Sequence, residues 1–258
     1  MNGVFHIGAT GLDSQQRALE IVANNIANMN TPAFKQSRAQ FSQLMAGQGV
    51  QDAGSGTSLD RGQPVFQGVR LTGSTVDFAQ GTLSQTGSQL DLAIDGSGFI
   101  ELMGPAGQTL LWRGGTLKVN NDGFLAASNG MPLQAMISVP RDARGLAIGM
   151  DGRVTATVEG GVEPLEIGRI ELVQDMDPAS LKAITGGAFQ PAEDAELIRS
   201  APGVEGAGVL AQGYVETSNV DLAKEMVSLM LMQRTYSANA QIVQAGDQLM
   251  SIANDLKR

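Results

Sequence analysis

Apolar residues recur every seven positions at both ends of the chain. Near the start they are Phe5, Leu12, Leu19 and Ile26, with Val22 three after Leu19 and four before Ile26. That is one stripe on a helix. Gly8 and Gly11 weaken its first turns, and Thr31-Pro32 ends it, because the residue before proline is pushed out of helical angles. A second short helix carrying Phe34, Phe41 and Leu44 is predicted to follow. Near the end, Leu222, Leu229, Tyr236, Val243 and Met250 keep the same spacing, flanked by Ile242, Leu249 and Leu256. Ser218 or Asn219 is suited to cap this segment. It contains no proline, so a single long helix is predicted over 220–256.

Between these ends the pattern changes. Short β-type runs alternate with turn signals: 90–94, 99–103, 109–112, 116–120, 137–140, 154–158 and 165–173. Asp95-Gly96, Asp122-Gly123 and Asp151-Gly152 read as hairpin turns. Asp177-Pro178 is suited to open one short helix ending near Ile184. The predicted class is α+β: heptad-patterned helices at both termini forming an assembly core, with a mainly β outer domain inserted between them. The expected divisions are a helical segment over 1–46, an extended Gly/Ser-rich connection over 47–67, the β domain over 68–212, and the long helix over 213–258.

Charge sharpens the division. The chain of 258 residues has a formal net charge of −9. Residues 47–212 carry 10 basic and 19 acidic residues, so the whole imbalance sits in the β region while the ends are near neutral. An acidic surface argues against nucleic acid or an anionic membrane as partner. No stretch approaches the roughly 18 apolar residues that span a bilayer. The N-terminus lacks the pattern of a cleaved secretory leader.

Chemistry is sparse. With no cysteine and one histidine, His6, there is no thiolate, no cysteine zinc site and no histidine pair. Asp91 and Asp95 are four apart, which on a strand and turn is a solvated hairpin. Gly96-Ser97-Gly98 begins a dinucleotide loop but runs into a strand instead of a helix. No cofactor, no metal and no catalytic residue is expected, although a carboxylate-only hydrolase needs neither histidine nor cysteine. Met226, Met230 and Met232 read as adaptable apolar packing. Asn24, Asn25, Asn28 and Asn30 crowd the end of the first helix. They are poor helix-interior residues, and read equally as terminal capping or as amides bonding across packed helices.

The segment from Ala23 through Asn24, Asn25, Asn28, Thr31 and Phe34 to Lys35 resembles the N-terminal signature of bacterial flagellar rod and hook proteins. The stretch Gly213-Tyr214-Val215-Glu216-Thr217-Ser218-Asn219-Val220-Asp221, continuing to Tyr236, is similar to that family's C-terminal signature. Gln80 to Leu83, Leu90 to Phe99 and Pro202 to Gly208 also match in order. Departures are Ile100 in place of an aromatic after Phe99, Trp112-Arg113-Gly114-Gly115 at a usually aromatic-rich turn, and Ala33 where glycine is usual.

The resemblance implies a structural subunit that polymerises helically into the hollow flagellar drive shaft, in its distal part, with a subunit of its proximal part as the alternative within the family. Terminal helices would form the inner tube and the β domain the outer layer. Implied partners are copies of itself, other rod proteins, the hook protein, peptidoglycan and outer-membrane ring proteins acting as a bushing, and the flagellar type III export apparatus. The implied location is the basal body, across the periplasm. The expected assembly interface is Phe5, Leu12, Leu19, Val22, Ile26, Leu222, Leu229, Tyr236, Val243 and Met250. Outside the family, a soluble β-domain module binding a glycan, or a carboxylate hydrolase, stays open at this point.

Overall fold

The computed structural model describes residues 2–45, 66–159, 163–184, 186–204 and 206–255. The connection expected over 47–67 falls outside the described residues except at its last two positions. The side chains of Phe5 and Met250 are likewise not described.

The chain divides into two compact units, one of residues 1–26, 37–75 and 221–258, the other of residues 27–36 and 76–220.

The first unit holds α1 (Asn2–Ala27), α2 (Leu222–Asp255) and a two-stranded ribbon of β1 (Ser37–Met45) and β2 (Phe66–Val76). The predicted second helix is therefore a strand. Its residues Ser37-Arg38-Ala39-Gln40-Phe41-Ser42 lack the apolar stripe a helix buries, and they find backbone partners in β2 instead. The first helix stops at Ala27, four residues before Thr31-Pro32. Residues 28–33 form turns, with the Thr31 N–H donating to the Asn28 carbonyl at 3.0 Å. Asp221 caps α2: its carboxylate accepts from the Ala223 and Lys224 N–H groups at 3.0 and 3.3 Å.

Among its described residues, the regular structure of the second unit is β apart from one 3-10 turn, Pro178–Ser180. A six-stranded antiparallel sheet runs in the order β13 (Lys182–Ile184), β14 (Ala188–Gln190), β6 (Thr109–Trp112), β5 (Phe99–Met103), β12 (Leu172–Asp175), β15 (Leu197–Ser200). A four-stranded sheet runs β16 (Val209–Gln212), β4 (Asp91–Asp95), β7 (Gly114–Val119), β8 (Leu125–Ala127). β9 (Ala143–Ile148), β10 (Arg153–Val158) and β11 (Leu165–Arg169) make a third sheet, and β3 (Leu83–Gln85) pairs with β17 (Tyr214–Glu216).

The β5 and β6 runs are apolar on both faces because both faces are covered. Ile100, Leu102, Leu110 and Trp112 point into a core shared with Leu92, Ile94, Leu117, Leu125 and Leu172. Phe99, Leu111 and Val173 point the other way, against Leu181 and Phe189. Phe78 stacks edge-on with Phe99 and Phe189 at 5.4 and 5.0 Å.

Asp122-Gly123 and Asp151-Gly152 are hairpin turns, between β7 and β8 and between β9 and β10. Asp95-Gly96 is not. β4 and β5 belong to different sheets, so Asp95 to Gly98 is a corner between them. Gly96 sits at φ +114, with the backbone of Gly208 close enough to forbid a side chain. The run 165–173 likewise splits between two sheets, and 137–140 forms only an isolated bridge from Ser138 to Phe124. The short helix expected to Ile184 gives way to β13 after Leu181.

Candidate functional site

Within the first unit the two helices run antiparallel. Gly8 faces Val243 so closely that a Cβ there would lie 2.6 Å from Val243 Cγ2, and Gly11 faces Asn239. The glycines that weaken the start of α1 thus admit its partner. On α1 the buried row is Ser14, Ala18, Val22 and Asn25, spaced by four, four and three. Leu12, Leu19 and Ile26 flank it, half-buried. On α2, Glu225 is buried, Leu229 and Val243 are half-buried, and Leu222 and Tyr236 are each 39 % exposed. That seven-residue row therefore lies along the side turned to α1. A second apolar set, Val227, Leu231 and Ile242, is 54–65 % exposed and lies well round the helix from Glu225 and Val243.

Asn25 resolves the asparagine question for its own position. It is 1 % exposed. Its Oδ1 accepts from the Ser37 N–H at 2.9 Å. Its Nδ2 donates to the Ser37 carbonyl at 2.9 Å and to Glu225 Oε2 at 3.3 Å. The amide thus bonds across packed elements, joining α1, β1 and α2. Asn28 follows the other reading: its Oδ1 accepts from the Thr31 hydroxyl at 3.2 Å in the turn after α1. Asn24 is exposed.

In the second unit, residues from both sequence signatures meet in a buried polar hub. Glu216, 1 % exposed, accepts from Lys35 Nζ at 2.5 Å, from Arg113 Nε at 3.1 Å and from the Gly81 N–H at 2.7 Å. Lys35 also donates to the Ala79 carbonyl at 2.9 Å. Arg113 donates to the carbonyls of Gly98 and Gly96, which lie on the corner between sheets, and its guanidinium lies 5.9 Å from the Phe99 ring centre. Beside them Asn219 Oδ1 accepts from the Gln36 N–H at 2.7 Å, and its Nδ2 donates to the carbonyls of Asp77 and Ala79. Burial holds the Lys35 ammonium below the ordinary lysine range; the hydrogen bond and charge of Glu216 oppose that shift, and Arg113 adds to it. Gly213 and Tyr214 lead into this hub: the Gly213 carbonyl accepts from the Thr86 and Gly87 N–H groups, and Tyr214 pairs with Gln85. Ser218 Oγ accepts from the Val220 N–H at 3.3 Å. Phe34 is half-buried and its N–H donates to the Thr31 carbonyl at 3.2 Å.

One of the departures has a visible backbone consequence here. Ala33 sits at φ +57, a conformation that glycine adopts without strain, and its N–H donates to the Glu216 carbonyl at 2.7 Å. Arg113, between β6 and β7, is a cation that the hub uses. Sequence reasoning placed Lys35 and Asn219 in the motifs but did not single out Glu216, Arg113 or Glu225. The available signal was a lone acid within the otherwise uncharged run 213–220, and a lone cation between Trp112 and two glycines.

A cleft of about 620 Å³ opens beside the hub, lined by Phe78, Gln80, Ser97, Arg113, Gln174 and Asp175 among others. Its lining carries a single carboxylate, Asp175; a smaller cleft of about 310 Å³ carries two, Glu101 and Glu171, of which Glu101 is held by the Arg199 guanidinium.

What the geometry defines is a scaffold: hydrogen bonds and ion pairs that fix chain segments, and an exposed apolar helix face. Three family profiles match in order. They are "Flagella basal body rod protein" over residues 5–35, "Flagellar hook protein FlgE/F/G D1 domain" over 93–156, and "Flagellar basal body rod FlgEFG protein C-terminal" over 211–256. A "Flagellar basal-body rod protein FlgG" of Buchnera aphidicola subsp. Schizaphis graminum is 35 % identical over 97 % of this chain and 98 % of its own. One of Caulobacter vibrioides is 35 % identical over 96 % and 97 %. The chain belongs to the flagellar basal-body rod protein family. Within it the chain is more similar to these FlgG proteins than to the "Flagellar basal-body rod protein FlgF" of Caulobacter vibrioides, at 30 % identity over 94 % of the chain.

Proposed function

We propose that the chain is a structural subunit of the flagellar rod, in its distal part, and polymerises helically into a hollow shaft that carries torque from motor to hook. The observation that carries this reading is similarity to FlgG proteins over 97 % of the chain combined with the exposed apolar side of α2. Val227, Leu231 and Ile242 have no reason to stand in water on one chain, but stacked copies bury them. Within the chain, the row Ser14, Ala18, Val22 and Asn25 of α1 is buried, and the exposed edges of the seven-residue rows through Leu12, Leu19 and Ile26 and through Leu222, Leu229, Tyr236 and Val243 make the contact between copies. Neighbouring rod and hook subunits dock end to end on the same helical layer. The acidic β unit faces outward, where like charge on surrounding ring and wall components keeps the bearing surface from sticking. No catalysis is needed for this work.

The test is Leu231→Asp against Gln233→Asp, two residues on and about 160° away round the helix. Leu231 is 64 % exposed, so the monomer's thermal unfolding is expected to stay within a degree or two. Assembly is expected to fail, since each contact would lose a leucine's burial, about 2 kcal/mol, and bury a carboxylate. Cells with Leu231→Asp that swim normally would overturn the proposal. So would a control that fails equally.

A further inference from the structure

The hub contains two cations and one anion, and the anion arrives last. Lys35 and Arg113 precede Glu216 by 181 and 103 positions. Their side chains are 0 % and 5 % exposed. They also donate to the neutral carbonyls of Ala79, Gly96 and Gly98. Glu216 is thus the carboxylate that bonds both, while Asp77 adds a weaker charge attraction to Lys35 alone, and Glu216 lies on β17, the last strand among the described residues. Two cations buried without their carboxylate are strongly unfavourable, far more so than one balanced pair.

We propose that Glu216 is a closure latch. Residues 33–36 seat on the β unit only when β17 has been laid against β3 and has brought the carboxylate with it. A chain that emerges from its N-terminal end, during synthesis or through a pore, keeps this seam open until residue 216 is free. The strands of the core need no such event: Leu92, Ile94, Leu102, Leu110 and Leu172 meet one another without a charge between them. The seam is further tied by Asn219, which bonds the Gln36 N–H and the carbonyls of Asp77 and Ala79 without adding charge. Electrostatic balance, not hydrogen-bond count, therefore decides whether the seam closes. This holds for the single chain and does not depend on rod assembly.

The test is amide hydrogen exchange on full-length monomer. Glu216→Gln keeps an acceptor oxygen but removes the charge. Exchange at the Ala33 and Gly81 amides is expected to rise by at least about 100-fold, while Leu92 to Ile94 stay protected. Adding Lys35→Met to Glu216→Gln removes one of the two stranded cations, so at least about 10-fold of that protection should return. Asn219→Ala also loosens the seam, at Gln36, but Lys35→Met should not repair it. Ala33 and Gly81 exchange within about threefold of wild type in Glu216→Gln would overturn the proposal. So would a double variant no better protected than Glu216→Gln, or an equal rescue of Asn219→Ala. If Glu216→Gln fails to fold at all, recovery of a folded chain by Lys35→Met supports the latch, and failure to recover refutes it.

Discussion

Asn25→Ala and Asn25→Asp separate a structural amide from a helix-end residue that merely frays. Asn25 makes three hydrogen bonds, two to the main chain of Ser37 and one to Glu225. At about 1 kcal/mol net each, their loss costs about 3 kcal/mol. Alanine is the better helix former by about 0.5 kcal/mol, which offsets part of this. The expected net destabilisation for Asn25→Ala is about 2–3 kcal/mol. Asn25→Asp has the same shape and still accepts from the Ser37 N–H. It loses both donors and places a carboxylate against the Ser37 carbonyl and the buried Glu225. The expected cost exceeds that of alanine, and it should shrink as pH falls towards about 4, because burial beside Glu225 raises the new carboxyl's folded pKa and it protonates above the ordinary aspartate value. Urea titration of full-length protein followed by helical circular dichroism measures both, because α1 and α2 supply nearly all the helix. An Asn25→Asp chain within 0.5 kcal/mol of wild type at neutral pH would refute the reasoning and return Asn25 to the role of a fraying terminus.

Two more outcomes follow from local geometry. Ala33→Gly removes a left-handed alanine and should stabilise the second unit by up to about 1 kcal/mol, less whatever chain freedom glycine adds; a lower melting temperature would count against the strain. The Lys224 side chain and the N–H groups of Lys224 and Ala223 hold the Asp221 carboxyl below the ordinary aspartate range. A depressed acid stabilises the fold above its unfolded pKa and loses that contribution as pH falls through the lower folded value, so Asp221→Asn should flatten the acid limb of the helix melt below about pH 4.

The ends and the middle were legible in the sequence for different reasons. α2 appeared almost to the residue because a long proline-free segment with a sustained apolar period has few alternatives. β4 to β6 were visible as short apolar runs between turn residues. What could not be read was the pairing. Asp95-Gly96 has the letters of a hairpin, yet its glycine serves a corner, and only the positions of Gly208 and Arg113 reveal that. Ser37 to Met45 is weak in any pattern; its strand is set by β2 across the ribbon. The hub was half visible. Lys35 and Asn219 stood out within their motifs, but nothing local connects Lys35 to Glu216, since the link runs through the third dimension.

One buried side chain also settles how such experiments can be read. Trp112 is the sole tryptophan, and it sits 3 % exposed in the core of the β unit, beside Leu110 and Ile100. The helices carry Tyr236 but no tryptophan. Indole emission therefore reports the second unit alone, while helical dichroism reports the first. A single denaturation run watched in both channels distinguishes a chain that melts as one cooperative body from one whose terminal helices let go while the β unit stays intact.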